Sequence, residues 1–140
     1  MERILHLGKF SYWQVGGIET AVDNLLQGLS PFFQLLKVAA NNSFKMETRE
    51  KSNYIEVSVP LVGLLARTPF CPTLPYCVKK LHQRYQFSIV HLHLPNPMAH
   101  FASQVLPQSV KRIVSWHSDV IQQKRLLKIY QPFVNHLLKQ

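Results

Sequence analysis

The sequence predicts an α/β sandwich with a mainly parallel sheet, and three observations carry that prediction. Short apolar strands alternate with amphipathic helical segments along the whole chain. The first strand hands over to the first helix through the glycine pair Gly16-Gly17. Polar clusters follow directly on three strands, at the carboxyl ends where such sheets bind ligands. With 140 residues the chain makes one domain and can bury a real core.

Arg3 to Leu7 is a short apolar run and reads as the first strand. Beyond it, Ile18, Ala21, Val22, Leu25, Leu26 and Leu29 fall at offsets 0, 3, 4, 7, 8 and 11, one face of an amphipathic helix. Gln34 to Ala40 is a second strand, closed by the turn residues Asn41-Asn42-Ser43. Lys45 to Ser52 is a charged connection, and Tyr54 to Val59 alternates as a third strand stopped by Pro60. Prolines spaced through 69–75 make a regular helix there unfavourable. For Leu61 to Pro75 the expectation is a buried loop packed on the core; the alternative is an exposed apolar loop beside Arg67 that touches lipid.

A helix from Leu74 to Tyr85 sets Val78 and Leu81 on one side and Lys79, Lys80 and Arg84 on another. Ser88 to Leu94 is a strand ended by Pro95-Asn96-Pro97, and Pro97 opens a helix running to about Leu106. Lys111 to Trp116 is the next strand, with His117-Ser118-Asp119 at its C-terminal end. Gln122 to Gln140 closes as a basic helix containing Pro132, with Leu126, Leu127, Tyr130, Phe133, Val134, Leu137 and Leu138 as its apolar stripe.

Composition narrows the setting. No run of about 18 apolar residues exists to span a membrane, and the N-terminus lacks the basic-then-apolar order of a secretory signal. Cys71 and Cys77 are too few and wrongly spaced for a zinc site and read as reduced thiols, so the expected compartment is cytoplasmic. Residues 1–56 balance 6 Lys/Arg against 6 Asp/Glu, whereas residues 57–140 carry 10 Lys/Arg against the single acid Asp119. The excess points to anionic partners, namely phosphorylated substrates, a phospholipid surface or nucleic acid; a basic face kept for solubility fits as well. No nucleic-acid reading motif is present, and the aromatics do not interleave with the basic residues as a stacking platform requires.

Three clusters are the candidate site. The helix after Gly16-Gly17 aims its unpaired N–H groups and positive dipole end back at the turn, which suits a phosphate; a ligand-free tight turn fits the glycine pair equally. The pair lacks both the three-glycine dinucleotide spacing and the Gly-Lys-Ser/Thr of a P-loop. His93 and Asn96 follow the Ile89–Leu94 strand, and His117, Ser118 and Asp119 follow the Ile113–Trp116 strand. His91 and His93 share a strand face and are spaced to ligate a metal with His117 or Asp119, but no cysteine or Glu-x-x-His pattern accompanies them. His91 reads better as a hydrogen-bonded core histidine. His117 can donate to a substrate oxygen or take its proton near neutral pH. Gly-x-Ser-x-Gly is absent, which removes a Ser/His/Asp hydrolase, and Asp119 also suits the cap of the following helix.

Four stretches then occur in order: Val15-Gly16-Gly17-Ile18-Glu19-Thr20, Val90-His91-Leu92-His93-Leu94-Pro95-Asn96-Pro97, Val114-Ser115-Trp116-His117-Ser118-Asp119, and Lys124-Arg125-Leu126-Leu127-Lys128-Ile129-Tyr130-Gln131-Pro132. Together they resemble the N-terminal domain of the retaining glycosyltransferases of family 4, which have the GT-B fold. That resemblance implies a Rossmann-like three-layer domain that mainly holds the acceptor. It implies that Gly16 and Gly17 approach the diphosphate of a nucleotide-sugar, UDP- or GDP-linked, and that His117 lies near the transferred sugar as the catalytic histidine. His93, Asn96, Ser118, Asp119 and Lys124 are then expected on the acceptor side. No metal and no cofactor beyond the nucleotide-sugar are implied. Many family members build lipopolysaccharide, capsule or glycolipid at the cytoplasmic membrane face, which gives the basic half an anionic lipid to meet.

The family's N-terminal domain is longer than this chain and is followed by a second domain that grips the nucleotide-sugar. Residues 3–140 are therefore expected to be an incomplete N-terminal domain with the nucleotide-sugar domain absent, inactive alone and completed in cis or by a partner chain. The alternative is a non-catalytic basic module that binds anionic lipid or nucleic acid, with a salt dependence set by counterion release.

Overall fold

A computed structural model describes residues 1–65, 67–117 and positions 128, 131, 132, 135, 136 and 139. Its elements run β1 (Arg3–Phe10), α1 (Gly17–Leu29), β2 (Gln34–Asn41), β3 (Glu47–Glu50), β4 (Ile55–Pro60), β5 (Gly63–Leu65), β6 (Thr68–Phe70), α2 (Leu74–Tyr85), β7 (Ile89–Leu94), α3 (Pro97–Ser103) and β8 (Lys111–Trp116). Six strands form one sheet in the order β3-β4-β2-β1-β7-β8. All its pairings are parallel except β3–β4. The strands β1, β2 and β7 are buried almost from end to end, as a parallel sheet covered on both faces requires.

Two cores flank this sheet and make three layers. On one face, Leu5, Leu7, Leu36, Val38, Val57, Val90 and Leu92 meet α2 and α3 through Leu74, Cys77, Val78, Ala99 and Ala102. On the other, Ile4 and Leu35 meet Val22 and Leu26 of α1. Helix α1 forms because its apolar residues keep to one stripe, and it stops at Ser30, whose N–H donates to Leu26 and whose hydroxyl donates to Gln27. The order reverses between β1 and β7: β1 leads outward to β2 on one side, and β7 leads to β8 on the other. That is the topological switch point at which open α/β sheets bind ligands.

Two expectations need correction. The charged connection Lys45–Ser52 contains an edge strand, β3, antiparallel to β4 in the register Thr48↔Val57 and Glu50↔Ile55. A charged strand is what an exposed sheet edge tolerates, and its composition hides it. The segment expected to be a buried loop is the β5–β6 hairpin. Thr68, Pro69 and Cys71 pack inward while Val62, Leu64 and Phe70 stay exposed. Strand β1 also runs three residues beyond the expected end, to Phe10, and α3 closes at Ser103 rather than Leu106. The apolar stripe expected in Gln122–Gln140 lies outside the described residues. Among these, Lys128, Gln131, Pro132, Asn135 and His136 are helical and exposed.

Candidate functional site

Three chain segments meet at the carboxyl ends of β1, β7 and β8, neighbours in the sheet. The loop after β1 is pinned to β2, since Ser11 N–H and Trp13 Nε1–H both donate to the Ala40 carbonyl, at 2.8 and 3.0 Å. It delivers Gly16 as the N-cap of α1 with no side-chain cap, which leaves the first N–H groups of that helix uncapped among the described residues. Gly16 is extended (φ −141°, ψ −174°), and no glycine has positive φ, so the turn does not demand glycine for its backbone angles. What the pair leaves is space. A methyl group on Gly17 meets nothing within 4 Å, and one on Gly16 meets only the Glu19 carboxylate, at 2.7 Å.

Glu19 is buried in the first turn of α1, where a carboxylate suits the helix dipole, and its Oε1 has no hydrogen-bond partner among the described residues. Lys9 approaches from the end of β1. Burial lowers its pKa, and Glu19 opposes that shift.

Asn96 is committed within the chain. Its Nδ2 donates to the Gly8 carbonyl at 2.8 Å, tying the end of β7 to β1, and its Oδ1 caps α3 by accepting from Ala99 N–H. Expected at the acceptor, it is buried and does structural work. His93 is fully buried and lies behind His117. Its Nδ1 is 2.9 Å from His117 Nε2, and its Nε2 is 3.2 Å from His6 Nδ1. His117 is half-buried at the sheet edge, held by its own N–H donating to the Leu94 carbonyl at 2.9 Å. His91 is the hydrogen-bonded core histidine expected, with Nε2 2.7 Å from Ser115 Oγ. Ser118, Asp119 and Lys124 lie outside the described residues.

Sequence reasoning did not single out His6, Lys37 or Glu56. Strand register sets His91, His6, Lys37 and Glu56 side by side across β7, β1, β2 and β4, a buried polar row under α1. Lys37 Nζ lies 2.7 Å from Asp23 and 3.5 Å from Glu56. Burial pushes the histidines down, His6 to about 3, His91 to about 4 and His93 to about 2; neighbouring imidazoles add to each shift, and Lys37 adds to those of His6 and His93. The signal available in the sequence was polar residues inside otherwise apolar strands, His6 in β1 and Lys37 in β2.

His6, His91 and His93 offer nitrogens that all lie within 4.8 Å of one another. Both ring nitrogens of His93 already face another imidazole, so a metal there would have to break one of those contacts. The thiols of Cys71 and Cys77 are buried in the opposite core and pushed up to about 11, which keeps them protonated and unreactive.

A parallel sheet with helices on both faces and its ligand edge at the switch point has known counterparts. The fold matches that of sucrose-phosphate synthase from Thermosynechococcus elongatus with a TM-score of 0.59 at 16% identity, over 95% of this chain and 40% of that one. In sequence the chain is 26% identical to O-antigen chain mannosyltransferase C of Escherichia coli, over 97% of its own length and 37% of the relative's. The class is thus the N-terminal, Rossmann-like domain of a GT-B glycosyltransferase. Residues 15–140 match the model described as Glycosyltransferase Family 4, and the chain belongs to that family.

Proposed function

We propose that this chain is the acceptor-side wall of a retaining glycosyltransferase. It would move a sugar from a UDP- or GDP-linked donor to a saccharide or lipid-linked acceptor in cell-surface polysaccharide, lipopolysaccharide or glycolipid synthesis. One observation carries this reading: the uncapped start of α1, with open space at Gly17, and the half-buried His117 share the switch-point edge of one sheet. The N–H groups of α1 then receive the donor diphosphate, with Lys9 nearby to offset its charge. His117 hydrogen-bonds the transferred sugar or the acceptor hydroxyl, supported from behind by His93. Ser118, Asp119 and Lys124 belong to the acceptor side. A second wall, in cis or from a partner chain, grips the nucleotide, and no cofactor beyond the nucleotide-sugar is called for.

The relative's description as an O-antigen chain mannosyltransferase supports mannose as the first sugar to test. No helix of the described residues is long and apolar enough to cross a membrane. Contact with an anionic cytoplasmic membrane face is instead assigned to the β5–β6 hairpin, where exposed Val62, Leu64 and Phe70 flank Arg67. In the complete enzyme, His117→Ala should cut turnover on the matching nucleotide-sugar by about 10²-fold or more while the protein stays folded. Wild-type turnover from that variant would remove His117 from the site.

A further inference from the structure

Behind His117 the sheet holds groups that sugar transfer alone leaves unexplained. Three imidazoles stand in line, His117 to His93 at 2.9 Å and His93 to His6 at 3.2 Å, and the last two are fully buried. On the far flank of His6, Lys37 is its register partner on β2, while His93 lies on β7. A neutral imidazole carries one N–H and one lone pair, so two contacts in series link the tautomers of all three rings. If His6 donates from Nδ1, His93 accepts at Nε2, keeps its proton on Nδ1 and donates that to His117 Nε2. His117 then holds its own proton on Nδ1. Run in the opposite direction, the chain leaves His117 Nδ1 bare.

Lys37 is paired with Asp23 at 2.7 Å and Glu56 at 3.5 Å, but of these three charges it is the one in register beside His6 and the one whose field acts on that ring, and it decides between the two directions. A cation attracts the lone-pair end of a neighbouring ring dipole and repels its N–H end. With Lys37 on the β2 side, the favoured alignment points each N–H away from it, toward β7 and then β8. We propose that Lys37, His6 and His93 are positioning residues that fix His117 as its Nδ1–H tautomer, so that its outer nitrogen presents a donor rather than a base. The ligand this fits is an oxygen acceptor, a sugar hydroxyl or an anionic phosphate oxygen. Neutral rings are what the chain requires, and burial keeps His6 and His93 neutral across the physiological range. His91 packs against His93 at 4.3 Å between centroids, with the ring planes tilted by 31°, and is itself held by Ser115, which leaves His93 little freedom to turn. Only the identity of the ligand rests on the glycosyltransferase reading; the tautomer is a property of this chain.

Long-range proton–nitrogen correlation spectra of protein carrying ¹⁵N-histidine read each ring directly, and the 7 histidines are few enough to assign. At neutral pH, His117 should show a protonated Nδ1 and a bare Nε2, with His93 and His6 in the same state. A His117 protonated at Nε2 overturns the proposal. His93→Phe keeps a ring of similar size but removes both contacts, and should return His117 to the Nε2–H form that free histidine prefers in water. An unchanged His117 in that folded variant overturns the positioning role. Should His93→Phe not fold, the wild-type spectrum decides alone. Neither spectrum needs substrate, so failure here is distinct from failure to transfer a sugar.

Discussion

The two faces of the central sheet are built on opposite principles. Toward α2 and α3, strands β1, β2, β4 and β7 present Leu5, Leu7, Leu36, Val38, Val57, Val90 and Leu92, a continuous apolar layer. Toward α1, past the small apolar cluster of Ile4 and Leu35 against Val22 and Leu26, the same four strands present His6, Lys37, Glu56, His91 and His93. Apolar burial stabilises the first face at about 25 cal/mol per Å². The second must satisfy each buried polar group to avoid a desolvation penalty, and His6 Nε2 and Glu56 Oε1 lack partners among the described residues. A face that gives up stability in this way, directly under the candidate site, is organised for orientation rather than for folding.

Acid should separate the faces most strongly. His6, His91 and His93 stay neutral in the fold, with pKa values of about 3, 4 and 2 against 6.5 when unfolded. Below about pH 6.5 the unfolded chain takes up protons that the folded chain refuses, so stability present at neutral pH is lost as pH falls toward those values. Each histidine contributes up to about 1.4 kcal/mol per pH unit, so the slope for three is on the order of 4. Urea unfolding midpoints at pH 7 and pH 5 measure it, and equal midpoints would show that the rings are not held neutral.

Next in size is Lys37→Ala, which strands Glu56 in the interior and should cost about 3–5 kcal/mol. The double change Lys37→Met with Glu56→Leu should recover most of that loss, since an apolar replacement removes both buried charges. If single and double variants unfold alike, the polar row is not a paired unit. On the other face, Leu92→Ala should cost about 2–5 kcal/mol at every pH, with no acid dependence of its own. Gly17→Ala is the smallest on stability, within about 0.5 kcal/mol, because nothing lies within 4 Å of the added methyl. In the complete enzyme it should nonetheless weaken nucleotide-sugar binding, as read by calorimetry. Unaltered affinity would detach the glycine pair from the diphosphate.

Much of the architecture was legible because local periodicity encodes it. The α1 stripe, the Leu74–Tyr85 helix and the Lys111–Trp116 strand fall where the 3.6-residue period and the apolar runs put them. Strand β3 escaped because Glu47-Thr48-Arg49-Glu50 carries no apolar signal; it exists by pairing with β4. The hairpin misled in the opposite sense, since its apolar residues read as buried although Val62, Leu64 and Phe70 face solvent. Within the site, His117 and the glycine turn could be named from strand ends alone. His93 and Asn96 could be named but not given their roles, because in sequence a buried support and an exposed ligand contact look the same.

The sequence by itself determined the succession of strands and helices, the glycine turn at the first helix and the family motifs, because each depends on residues near one another in the chain. Only the tertiary structure decided that β1 lies between β2 and β7. That order brings His6 within 3.2 Å of a histidine 87 residues away and sets Lys37 on its other flank. Such contacts follow from sheet order and register, to which the local pattern of polar and apolar residues is blind.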